Sequence, residues 1–61
     1  MINWKCNEEK LGWRISAVLP LADGVEITSQ VLIPRVLMSD AAVLGSIADM
    51  TRSITVSRAE L

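Results

Sequence analysis

From Leu11 the chain alternates. Leu11, Trp13, Ile15, Ala17, Leu19 and Leu21 are apolar, with Gly12, Arg14, Ser16, Val18 and Pro20 between them, and a period of two predicts a strand with one buried face. After Ala22-Asp23-Gly24 the pattern resumes, Val25, Ile27, Ser29, Val31 and Ile33 opposing Glu26, Thr28, Gln30 and Leu32. A second strand follows at once. Facing residues in a hairpin share a side of the sheet, so the loop length can be tested by parity. A two-residue Asp23-Gly24 loop would set Leu19 against Thr28, core against surface. A three-residue loop pairs Leu21 with Val25, Leu19 with Ile27, Ala17 with Ser29, Ile15 with Val31 and Trp13 with Ile33. The three-residue loop is predicted, with Gly24 as the left-handed residue of a type I turn and G1 bulge.

Ile2, Trp4 and Cys6 alternate with Asn3 and Lys5, and Asn7-Glu8-Glu9-Lys10 reads as a polar link to Leu11. Pairing Cys6 with Leu11, Trp4 with Trp13 and Ile2 with Ile15 keeps these side chains on one face and completes a meander. Pro34 ends the sheet. Ser39 is a candidate helix N-cap, with Asp40 placed to complement the dipole of the first turn. Val43, Ile47, Met50 and Ile54 follow at helical spacing, and Leu61 joins the same stripe if the helix reaches it. Residues 53–58 contain alternating β-branched positions, so a short fourth strand is the local alternative. The predicted architecture is α+β: a single domain over 1–61, in two β-β-β-α layers, with a three-stranded antiparallel meander covered on one face by a C-terminal helix.

Composition then narrows the chemistry. The 61 residues include no His, Tyr or Phe and one Cys, which leaves no Cys/His metal set, no His-activated nucleophile and no disulfide framework. Cys6 is expected to be an inert core thiol, and Trp4 and Trp13 to lie side by side in the core. Glu8 and Glu9 suit a solvated turn, Asp23 a turn, and Asp40 and Asp49 do not share a helical face, so no carboxylate pair is nominated for catalysis. No cofactor or metal is expected. Six Lys and Arg against seven Asp and Glu give a net charge of −1 with neither sign clustered, and a nucleic-acid binder ordinarily carries a basic excess. No apolar stretch approaches the roughly 20 residues of a membrane span, nor does the N-terminus follow a signal-peptide layout. A cytoplasmic protein is expected.

Two features remain as candidate contact surfaces. On a helical wheel Ala41, Gly45 and Ala48 form a strip of small residues opposite the apolar stripe, with Arg52 beside them. Gly45 costs about 1 kcal/mol there relative to Ala, which suggests a close approach. The other is the last strand, a sheet edge with no Lys and no Pro before Pro34, offering Glu26, Thr28, Gln30 and Leu32. A domain this small gains from association. The expectation is a non-catalytic protein-protein interaction module, a homodimer that inhibits or regulates a larger partner. Beginning with Met, the chain reads as independently encoded. In size it is similar to small phage and mobile-element proteins that block host enzymes, anti-CRISPR inhibitors among them. The alternative is nucleic-acid binding through the exposed sheet face, with Lys5, Arg14 and Gln30 as readers and Arg35 near a phosphate.

Overall fold

A computed structural model describes residues 1–61. Strands β1 (Asn3–Glu8), β2 (Gly12–Pro20) and β3 (Glu26–Pro34) form an antiparallel sheet in the order β1-β2-β3, and helix α1 (Asp40–Ala59) packs on one face. The α+β meander with its C-terminal helix is therefore as expected, and residues 53–58 are helical. The Ser39 hydroxyl accepts a hydrogen bond from the Ala42 N–H at 3.1 Å, which caps the helix as its sequence position implies.

The β2–β3 register pairs Leu19 with Ile27, Ala17 with Ser29, Ile15 with Val31 and Trp13 with Ile33, as parity requires. The turn between them differs in detail. Asp23 as well as Gly24 is left-handed, with φ of 64° and 76°, the pattern of a type I′ turn. The Val25 N–H donates to the Ala22 carbonyl at 3.3 Å and the Leu21 N–H to the Val25 carbonyl at 2.7 Å. Leu21 and Ala22 thus both face Val25, a bulge that restores the register a bare two-residue turn would have flipped.

The first hairpin corrects the expected pairing. Glu9 and Gly12 exchange both backbone hydrogen bonds, at 2.7 and 3.3 Å, so only Lys10 and Leu11 form the loop. Trp4 faces Ala17, Cys6 faces Ile15 and Glu8 faces Trp13, a slip of four residues from the Trp4–Trp13 register. Charge and packing hold the tight turn in place. Arg35 donates from Nη1 to Glu8 Oε2 and from Nη2 to the Glu9 carbonyl, both at 2.7 Å, while its backbone N–H reaches the Leu11 carbonyl at 3.1 Å. Gly12 lies where a Cβ would stand 2.1 Å from the Ile33 carbonyl oxygen, so the strands approach only because that side chain is absent.

The core consists of Ile15, Ala17, Leu19, Ile33, Met50 and Ile54. Helix α1 lies mainly over β3 and less over β2, and every residue of β1 is exposed. Because the helix stops short of β1, two expectations fail there. Cys6 is exposed rather than a core thiol, and Trp4 remains 41% exposed. Trp13, opposite Ile33, is half-buried. Leu61 lies beyond the helix and is exposed, so the apolar stripe ends at Ile54.

Candidate interaction surfaces

The eight residues nominated from sequence fall into two groups on opposite faces of the domain. Ala41, Gly45, Ala48 and Arg52 are all exposed on the outer side of α1. A Cβ on Gly45 would meet nothing within 4 Å, so this glycine permits no close approach within the chain. Arg52 binds Asp49 at 3.2 Å. Glu26, Thr28 and Gln30 are exposed and Leu32 is half-buried; their side chains lie on the sheet face away from the helix. The sheet separates the two groups, and no one surface contains both.

Backbone alternation gives the β3 group its significance. The Leu21–Val25 and Leu11–Arg35 bonds mark odd positions as the hydrogen-bonded pairs of the β2–β3 ladder. The N–H and C=O of Glu26, Thr28, Gln30 and Leu32 therefore point outward. No strand covers them.

Strand β1 is a second open edge that sequence reasoning missed. The Glu9–Gly12 pair fixes Asn3, Lys5 and Asn7 as the positions bonded to β2, so Trp4, Cys6 and Glu8 present their backbone groups outward. On the helix side their border opens into a groove of about 260 Å³ lined by Trp4, Cys6, Ile15, Val43 and Ile47, with Lys5 at its wall. The groove on the other flank of α1, about 250 Å³, is lined by Ser29, Ser46, Asp49 and Ser53 with Val31 and Met50. One flank is apolar and the other largely polar.

A third feature lies at the end of the sheet. Arg35 ties the 9–12 turn to the single helical turn Arg35–Leu37, which sets Leu11, Val36 and Leu37 at one tip with exposures of 71%, 91% and 64%. Isolated exposed apolar residues are ordinary, and a contiguous group is a candidate contact surface. Leu11, expected on the core face of β2, is a loop residue that faces solvent.

Three of the four arginines are paired with carboxylates. Arg14 Nε donates to Glu9 Oε2 at 2.7 Å, a hydrogen bond that lowers the Glu9 carboxyl from its ordinary 4.5 and raises the Arg14 guanidinium. Arg35 and Arg52 are bound to Glu8 and Asp49. No group of three or more His, Cys, Asp or Glu is placed to hold a metal ion, and no helix is long and apolar enough to cross a membrane. No protein-family model, curated protein or solved structure matches the chain.

Proposed function

We propose that the chain is a non-catalytic protein-protein interaction module, a homodimer joined through a sheet edge that offers its remaining apolar surface to a larger partner as an inhibitor or regulator. The observation that carries this is the uncovered β1 border, with outward backbone groups beside an apolar groove. Such a border takes an added strand, backbone bonds giving affinity and side-chain pockets giving selectivity. The tip at Leu11, Val36 and Leu37 is the surface proposed for the larger partner.

Size supports association. The molecule exposes 4463 Å², against about 3,900 Å² for a folded monomer of this mass. Its radius of gyration is 12.5 Å, where about 10.5 Å is usual for this length.

Nucleic-acid binding through the far sheet face draws less support. Arg14 and Arg35 are neutralised by Glu9 and Glu8, so of the basic residues nominated for it only Lys5 has no carboxylate partner. Light scattering across a concentration series tests the proposal: the expected mass rises toward twice the monomer. A constant monomer mass with no salt-sensitive DNA binding leaves a monomeric module, and salt-sensitive DNA binding replaces the proposal with the other function.

A further inference from the structure

We infer that the second copy pairs through β1, antiparallel, across a two-fold axis at Trp4; this rests on the homodimer proposed above and specifies its contact. A symmetric partner must match the outward positions of β1 with one another, which are the even-numbered residues. Four registers pair three or more residues of β1, and an axis at Asn7 sets Cys6 against Glu8. An axis at Lys5 sets Lys5 against its own copy, and like charges directly opposite are destabilising. With the axis at Cys6, Trp4 faces Glu8. Only the axis at Trp4 matches both faces of the ribbon: Trp4 meets Trp4 and Cys6 meets Ile2 of the second copy on the helix side, while Lys5 meets Asn3 on the far side.

The β3 edge is less suited to the same role. Because α1 lies mainly over β3, a symmetric β3 pair would bring the two helices together on one face of the joined sheet, where they must fit beside each other. Its flank is lined by Ser46, Asp49 and Ser53 and can remain in water. The β1 border has no helix above it, and its Trp4 and Cys6 side chains gain cover from the second copy. The stretch this register pairs, residues 2–6, takes only Asn3–Cys6 from β1 and is short, so the dimer dissociates on dilution, with affinity on the order of micromolar.

Proline substitutions separate the two edges, since each removes one outward N–H and no bond of the internal ladder. Cys6→Pro is expected to be monomeric by light scattering at concentrations where wild type and Thr28→Pro are dimeric, all three with the same circular dichroism. Trp4→Lys gives the same monomer without touching the backbone. Ile2→Cys fixes the register: a hydrogen-bonded antiparallel pair has Cα atoms about 5.5 Å apart, within disulfide reach, so mild oxidation yields a covalent dimer joining the introduced thiol to native Cys6 of the second copy. Oxidised wild type stays uncross-linked. A dimer kept by Cys6→Pro and lost by Thr28→Pro overturns the β1 contact but leaves the homodimer standing. A Cys6–Cys6 link in wild type, or no link in a dimeric Ile2→Cys, overturns the register. Wild type monomeric at high-micromolar concentration overturns contact and homodimer together.

Discussion

Two glycines show how position decides the value of a missing side chain. Gly12 lies against the backbone of Ile33, where a Cβ would stand 2.1 Å from a carbonyl oxygen, and neither strand can yield without breaking the ladder. Gly12→Ala is expected to cost on the order of 3 kcal/mol or more, a large part of the stability of so small a domain, seen as a steep fall in the thermal midpoint. Gly45 sits on an exposed helix with nothing near its Cβ position, so Gly45→Ala is expected to stabilise by about 1 kcal/mol. A loss of stability there would show a contact of this glycine within the fold. Glu9 carries a pH signature. Its carboxyl is lowered chiefly by the hydrogen bond from Arg14, and a folded-state value below the unfolded one adds stability above the ordinary carboxylate range that is lost as pH falls through the lowered value. Thermal midpoints of wild type should therefore drop on acidification below the usual 4.5 more than those of Glu9→Gln; equal slopes would remove Glu9 from the acid response.

At the scale of elements, the three strands, the cap at Ser39 and the β2–β3 register were legible because each left a local or parity signal. The β1–β2 register was not. A slip of four residues is even, so Trp4 and Cys6 stay on the helix side in either pairing, and alternation cannot distinguish them. The distinguishing interactions are long-range: Arg35 on Glu8 and Glu9, and Gly12 beneath Ile33. Nor does periodicity say how far a single helix reaches across three strands, which is why Cys6 and Trp4 were expected inside. Of the nominated helix-back and β3 residues all but the half-buried Leu32 are exposed, and the two groups lie on opposite faces. The two tryptophans now have different expected roles. Trp13, half-buried against Ile33, should cost about 2 kcal/mol as Trp13→Ala, less than a fully buried ring. Trp4→Ala, at a ring that is 41% exposed, should cost less monomer stability than Trp13→Ala while weakening dimer formation. Equal losses of monomer stability would place both rings in the core.

The whole molecule is elongated, 38 × 19 × 15 Å, with its apolar tip at the 9–12 end of the sheet. A two-fold axis at Trp4 runs the two β1 strands in opposite directions, so the proposed dimer carries its tips at opposite ends, each available to a separate copy of the partner or to two places on one large partner. Linked contacts of this kind gain affinity through effective concentration, but only where both can engage together. The tip and the edge are separable by substitution, because Val36 and Leu37 lie outside every strand and α1. Val36→Asp combined with Leu37→Asp is expected to keep the wild-type circular dichroism and the mass of the proposed dimer, and to lose the proposed partner in a pull-down that compares it with wild type. Gly45→Arg, which charges the helix back, is expected to retain it. Cys6→Pro should retain that protein with weakened apparent affinity, since each tip survives but the pairing of tips does not. Retention by the tip variant with loss by Gly45→Arg would move the partner's contact to the Ala41, Gly45 and Ala48 strip, and undiminished affinity in Cys6→Pro would show that each tip binds alone.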